Sequence, residues 1–423
     1  MADVQPLRAL HYDPAVAGPL QDLVAPPYDV IDPAQRERLA GRSPHNVVQV
    51  DLPIGEDPYG TAAQLMERWQ AEGAIVRDQK PALWALTQDY TGPDGAIKTR
   101  RGFFARVRVE DYGSGRIRPH ERTHPGPKED RLNLTRATRA NMSPIFSLFS
   151  DPEAKAWAAL EPFTREQPWG QATDDDGTHN RLWRIDDPDA IAAVQTATCD
   201  AELLIADGHH RYETARVYAD EVGGDGEHRY VLMNLVAMED EGLTVFPTHR
   251  LVTDTTAETQ EALAASLREH FDTAELGSTD ELPPAQGDGP LELGYLDAHF
   301  KRPFRLTLKD QAIADEALAQ FPAAYRRLDT AVLEALLLKG PLGLTDDDID
   351  HQHGLTYSRT DDEAIDMVTS GKADVAFFLR PNPVRQVQEI AATGVNMPPK
   401  STYFFPKVPT GLLFNPLTPS EDT

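Results

Sequence analysis

Residues 205–215 read Ile-Ala-Asp-Gly-His-His-Arg-Tyr-Glu-Thr-Ala: a short apolar run, an acidic residue and a glycine, two histidines and an arginine, then a helical pattern. The order predicts a strand that turns at Gly208 into a helix. Such a turn leaves backbone N–H groups facing outward at the positive end of the helix dipole, where an oxyanion can sit. Gly208 lets the backbone approach a ligand closely, Arg211 offers a forked cation, and Asp207 can hold Mg²⁺ or orient a hydroxyl. The competing reading is structural, with Asp207 as helix cap and His209 and His210 satisfied in the core. Residue types alone leave both open. The adjacent histidines lack the i, i+4 spacing that sets two zinc ligands on one helical face.

Working outward, the prolines of Ala25-Pro26-Pro27-Tyr28-Asp29-Val30 enforce extended backbone. Asp57 to Gly73 places Ala62, Leu65, Met66 and Trp69 on one helical face, and Gly73 marks its end. Ala82 to Tyr90 and Ile97 to Val109 read as a hairpin around Gly92-Pro93-Asp94-Gly95, with Phe103, Ala105, Val107 and Val109 alternating against Phe104, Arg106 and Arg108. Arg116 to Ser150 reads as a long polar connection until Ile145–Phe149, and 165–180 as an exposed acidic loop. Tyr230 to Met238 and Leu243 to Leu251 suggest a second hairpin. Thr255 to Phe271 has apolar residues every fourth position, with Thr255 and Glu258 as a capping box. Asp280 to Gly289 looks like a linker. Strands at Leu291 to Leu296 and Phe304 to Leu308, a helix from Asp329 and a buried strand at Val375 to Leu379 complete the pattern.

Composition narrows the function. The 423 residues carry 68 acidic against 41 basic side chains, a net charge of −27, which repels nucleic-acid phosphates over most of the surface. No nucleic-acid partner is expected. Thirty-four prolines argue against a helical bundle. The single cysteine, Cys199, allows no internal disulfide and no four-cysteine zinc site. The N-terminus lacks a signal-peptide pattern and no apolar run reaches membrane-spanning length, so no membrane association and a cytoplasmic location are expected. The Walker phosphate loop, the dinucleotide Gly-x-Gly-x-x-Gly turn and the Gly-x-Ser-x-Gly elbow are absent from the sequence.

Three further stretches could carry chemistry. Arg118-Pro119-His120-Glu121-Arg122-Thr123-His124, continuing through Lys128, Asp130 and Arg131, combines a potential base with potential phosphate ligands; read blandly, it is a solvated loop. Met397-Pro398-Pro399-Lys400-Ser401-Thr402-Tyr403-Phe404-Phe405-Pro406-Lys407 sets Lys400 beside the hydroxyls of Ser401 and Thr402, suited to a substrate carboxylate or phosphate, or else forms an aromatic plug. The run Asp346, Asp347, Asp348, Asp350 lacks the glycine-centred loop of a calcium hand and reads as an acidic turn.

Several of these segments, in this order, resemble the family catalogued as domain of unknown function 1015: Ala25–Val30, His120–Thr123, Pro127–Arg131, Ala206–Arg211 and Met397–Lys407. Part of the chain is also similar to the ParB/sulfiredoxin-like superfamily, and within it to free-serine kinases, which pair a Pro-His-Glu segment with a downstream Asp-Gly-His-His-Arg turn. The resemblance implies an α+β fold of mixed sheets, with a ParB/sulfiredoxin-like core at 116–222 between an N-terminal α/β segment, 1–115, and a C-terminal α+β segment, 223–423. It also implies roles: Glu121 as base, Asp207 as metal ligand or base partner, and His209, His210 and Arg211 at the phosphates, to which the residue reading above adds His120 beside the base and Gly208, Lys128 and Arg131 as further phosphate-binding candidates. The implied function is a Mg²⁺-dependent phosphotransferase acting between a nucleotide, ADP or ATP, and a small hydroxyl metabolite, serine first. A phosphatase acting on phosphoserine, or a non-catalytic nucleotide-binding or partition-like module, are the alternatives. The interval between the two motifs is longer here than in the compact kinases, and both chain ends lack a counterpart there.

Overall fold

The hairpin at Leu83–Thr91 and Ile97–Arg108 seeds the nine-stranded sheet, its two long strands pairing antiparallel with Trp84 opposite Phe104 and Gln88 opposite Arg100. The computed structural model describes residues 2–418 except Asp94, Ser114, Arg122, His124, Gln286 and Asp288, and except the side chains of Pro125 and Pro127. Helices and mixed sheets make it an α+β protein, as the sequence predicts. The chain forms two compact units, one from residues 1–119, 123–244 and 406 onward, the other from 120–122 and 245–405.

In the first unit, nine strands form one mixed sheet. They are β1 (Val4–Gln5), β2 (Leu83–Thr91), β3 (Ile97–Arg108), β4 (Ile117–Arg118), β5 (Ile145–Phe149), β6 (Gly170–Thr173), β7 (His179–Ile185), β8 (Leu203–Asp207) and β9 (Tyr230–Ala237). Their order is β4-β8-β5-β9-β3-β2-β7-β6, with β1 added on β3. Only the β4–β8 and β5–β9 contacts are parallel. Strands from the segments 1–115 and 116–222 therefore interleave in one sheet. One face buries Phe103, Ala105, Ile145, Phe149, Met233 and Leu235 in the core. Because side chains alternate, the other face carries Trp84, Phe104, Phe146 and Asn234, which are buried as well. Helix α1 (Pro58–Ala71) begins at the Asp57 cap and buries Ala62, Met66 and Trp69; Gly73, at φ +76°, follows its end as predicted.

Three sequence expectations for this unit are corrected. The polar stretch after Arg116 contains a 14-residue helix, α2 (Pro125–Thr138). Its inward positions include Arg131 and Thr135 beside Leu134, so no apolar period reveals it. The acidic loop shrinks to the tight turn between β6 and β7, where Asp174 N–H donates to Thr178 O. The second hairpin does not form. β9 pairs with β3 and β5, whereas His249–Val252 joins the other unit's sheet, since alternation specifies a strand and not its partner.

In the second unit, β10 (His249–Val252), β11 (Phe271–Glu275), β12 (Glu292–Asp297), β13 (Phe304–Leu308), β14 (Leu355–Ser358) and β15 (Val375–Phe378) form an antiparallel sheet in the order β11-β13-β12-β15-β10-β14. The predicted helix appears as α4 (Ala257–His270), following α3 (His209–Val222) of the first unit. Its capping box is Thr256 with Thr259, one residue beyond the predicted pair, because Thr255 is held by Asp374. Helix α5 (Asp361–Thr369) packs Ala364 and Val368 on Leu296, Ala376 and Phe378. The supposed linker at 280–289 is partly core: Leu282 is buried in this cluster and its carbonyl accepts from Arg305. A fully buried leucine in an acidic, proline-rich stretch leaves no periodic trace.

Gly102 in β3 tests the packing of the first sheet. A Cβ there would lie 2.6 Å from Val236 Cγ2 and 2.8 Å from the Leu235 carbonyl on β9. Gly102→Ala should lower stability by about 1–3 kcal/mol through overpacking, read as a shifted denaturant midpoint with unchanged slope. An unchanged midpoint would show that β3 and β9 are not packed as described.

Candidate functional site at the Asp207–Arg211 turn

β8 ends at Asp207, Gly208 takes φ +98°, and α3 starts at His209 with no side chain capping it. The strand-turn-helix reading is met. The left-handed conformation favours glycine, and crowding adds to that: a Cβ on Gly208 would sit 3.0 Å from Arg211 Nε and 3.1 Å from its Cζ. Arg211 thus folds back over the turn. One of its Nη atoms donates to Asp207 Oδ2 at 2.9 Å, the other to Ser143 Oγ at 3.1 Å and to the Pro144 carbonyl. Tyr212, one residue on, exchanges hydrogen bonds with the backbone of Glu110 and fixes the first turn of α3 to the end of the β3 segment.

Asp207 is not a helix cap. Its second oxygen accepts from Lys407 Nζ at 3.2 Å, two hundred residues along the chain. The Asp207 and Arg211 side chains are only 15% and 9% exposed. Burial alone would raise the carboxyl, but Lys407 and then Arg211 outweigh it and hold Asp207 well below the usual carboxylate range. The strap that delivers Lys407 is itself anchored: Gln88 Nε2 donates to the Lys407 carbonyl at 3.0 Å, Thr410 pairs with Ala25 through the backbone, and its hydroxyl lies 2.6 Å from Ser143 Oγ.

The neighbouring sheet face is polar in an unusual way. Phe146 lies opposite Asp207 in the β5–β8 register, and the Arg100 guanidinium stacks 4.3 Å above the Phe146 ring. Arg100 is buried, and the partner it bonds is the neutral Gln88 amide, at 3.1 Å from Nε. Burial lowers its pKa to about 9, so it remains a cation at neutral pH. Arg100 Nη1, Arg211 Nε and both polar atoms of the Asn234 side chain are buried without a hydrogen-bond partner. Buried polar atoms left in this state demand a cause, such as a ligand.

Arg131 serves a second cluster. It donates to the Asp51 carbonyl and to Asp51 Oδ1 at 2.8 and 3.1 Å, binds Asp130, and lies 4.3 Å above the Tyr28 ring. Tyr28, Asp51, Arg131, Ser143, Arg211 and Thr214 are among the residues lining a cavity of about 30 Å³, room for a single water. The first unit thus gathers Tyr28, Arg131, Arg211 and Lys407 from four of the five segments named above. Lys128 is half-buried on α2, and its carbonyl faces Thr214 of α3 at 3.5 Å. His209 is buried and His210 half-buried.

His120 and Glu121 belong to the second unit. There His120 is buried, its carbonyl accepts from Met397 N–H at 2.8 Å, and its Nε2 lies 2.9 Å from Thr402 Oγ1. Glu121 Oε1 is 3.9 Å from the same ring nitrogen. Arg122 and His124 of this segment lie outside the described residues. Ser401 is buried, donating to the Pro398 carbonyl at 2.6 Å, and Lys400 is exposed at φ +54°.

The residues do not fit a resident Mg²⁺. Among the described residues no group of three or more histidine, cysteine or carboxylate side chains could hold a metal, and each Asp207 oxygen is already bonded to a cation. Sequence reasoning missed the parts Arg100, Gln88 and Asn234 play. Arg100 shares strand parity with Arg106 and Arg108, which are only partly buried, so nothing local distinguishes it. Lys407 stood in a quoted segment, but its carboxylate partner is visible only in three dimensions.

A comparison with curated proteins finds no match. Among solved structures the chain is similar to a conserved hypothetical protein from Pyrococcus furiosus (15% identity, 70% of this chain and 90% of that one, TM-score 0.35). It is also similar to a free serine kinase in complex with AMP (13% identity, 68% and 83%, TM-score 0.35). A third is SbnI with a C-terminal truncation from Staphylococcus aureus (12% identity, 76% and 90%, TM-score 0.38). The family model described as "Protein of unknown function (DUF1015)" matches residues 4–331, and the chain belongs to that family.

Proposed function

We propose that the Asp207–Arg211 turn binds the phosphates of a nucleotide, ADP or ATP, and that the protein is a phosphotransferase acting on a small hydroxyl metabolite. The observation that carries this reading is Arg100, a buried guanidinium stacked on the ring opposite Asp207, whose hydrogen-bond partner among the described residues is a neutral amide. Uncompensated buried cations are costly unless an anion arrives. The uncapped start of α3 adds its dipole in the same sense. Preorganised cations of this kind would stabilise charge on the transferred group, a role often filled by Mg²⁺.

Serine is the first candidate acceptor, from the resemblance of the turn to that of free-serine kinases. In the proposed step the acceptor oxygen attacks the terminal phosphorus, its proton passes to a carboxylate base, and the bond from phosphorus to the nucleotide's bridging oxygen breaks. The assignment of Glu121 as base rests on the resemblance alone. Incubation with serine, Mg²⁺ and either ADP or ATP should yield phosphoserine by phosphorus NMR, and Glu121→Gln should abolish turnover while nucleotide binding persists. Phosphate released from phosphoserine without nucleotide would instead identify a phosphatase, and no conversion of any of these would remove both readings.

The charge balance makes a second test. Arg100→Met should weaken nucleotide binding at least about tenfold, some 1.4 kcal/mol, without loss of thermal stability, because it also removes a desolvated charge. Unaltered affinity in calorimetry would remove Arg100 from the site.

Asp207 gives a pH signature. Its carboxyl is depressed in the folded state, so its stabilisation is fully present above the unfolded value of about 3.9 and is lost as pH falls through the lower folded value. Asp207→Asn should cost about 3 kcal/mol at neutral pH, in the range for breaking a buried pair. Scanning calorimetry should show that gap closing only below about pH 4; a gap independent of pH would refute the ion pairs.

A further inference from the structure

The largest cavity among those described has no part in the phosphate reading. It lies wholly in the second unit, encloses about 550 Å³, and sits beside helix α6 (Val384–Ala392). That volume is typical of small-molecule sites.

Its floor is a buried, two-pronged ion pair. Arg380 Nε and Nη2 donate to Asp329 Oδ2 and Oδ1 at 2.6 and 3.2 Å, and Arg380 Nη1 donates to the Gly287 carbonyl at 2.9 Å. Arg380 is therefore committed to shaping the wall. The rim is different. Arg327 is exposed, and its side chain makes no hydrogen bond or ion pair among the described residues. Among the described residues Arg385 pairs with Glu389 on its own helix, with a side chain 89% exposed. Such a pair is worth little and yields readily to a better partner.

The interior supplies acceptors. The side-chain amides of Gln386 and Asn382, both lining residues, donate to the Ala324 and Ser401 carbonyls, and their oxygens remain as acceptors. Among the described lining residues three arginines stand against Asp329 and Glu389, a cationic excess in a chain whose net charge is −27. A field of that sign, opposite to the rest of the protein, concentrates small anions at the cavity mouth.

We propose that this cavity binds a small metabolite through an anionic group, a carboxylate or a phosphate monoester, held by Arg327 and Arg385, with hydrogen-bond donors of the ligand facing Asn382 and Gln386. The site is independent of the nucleotide reading and stands or falls without it.

The test uses the full chain and two probes, inorganic phosphate and succinate, observed by phosphorus line broadening and by saturation-transfer NMR respectively. At least one should bind, and which one separates the phosphate from the carboxylate class. Arg327→Ala with Arg385→Ala, two surface changes that leave the Arg380–Asp329 floor in place, should weaken that binding by about tenfold or more. The phosphate arm is read in the Arg100→Met background, so that phosphate held in the first unit does not count. Absence of binding by both probes, or binding that survives the double substitution, would overturn the proposal, and neither outcome bears on phosphoserine formation.

Discussion

The Asp207 carboxylate, shared between Lys407 and Arg211, is the contact on which the first unit's polar architecture turns. It joins the end of a central strand, the first turn of α3 and the returning C-terminal strap in a single buried triad. An isolated carboxylate there would be protonated or expelled; two cations keep it ionised. In exchange it fixes the side chain of Arg211 over Gly208, where a β-carbon would crowd the guanidinium. The glycine, the arginine and the carboxylate form one device, which Lys407 anchors from one side and Ser143 and the Pro144 carbonyl from the other.

Around this triad the sheet departs from ordinary core chemistry. Where a buried face would carry leucine or valine, it carries Arg100, Gln88, Asn180 and Asn234, linked in part by Gln88 donating to Asn180 at 2.8 Å and accepting from Arg100. Apolar residues of equal volume would pack there at less cost. On the proposed reading, the polar groups kept in such a place, some of them without partners among the described residues, form half of a recognition surface whose other half is an anion.

The long regular elements were legible because their period was carried by large apolar residues. Met66 and Trp69 mark α1, and Phe103, Ala105 and Val107 mark β3. The turn at Gly208 was legible because only glycine suits its conformation. What stayed hidden was whatever long-range pairing decides. α2 buries an arginine and a threonine beside its one fully buried leucine, β9 takes partners other than its neighbour in sequence, and Leu282 enters a core from a stretch that reads as linker. At the site, the motif histidines and arginine were named from sequence, whereas Arg100 and Asn234 were not, since burial of a polar strand residue depends on what covers it.

That difference bears on how such a site is assembled. A contiguous motif can specify a backbone shape, here a positive φ followed by a helix start, but it cannot by itself exclude water or set a local charge. Those properties come from distant residues that the fold delivers: a lysine from the C-terminal strap, an arginine from the hairpin, a serine from the entrance to β5. Each delivered group touches either the carboxylate or the guanidinium of the motif, or the ring that lies beside them. On the proposed reading, the motif sets where an anion can approach, and the sheet beneath it determines how strongly that approach is favoured.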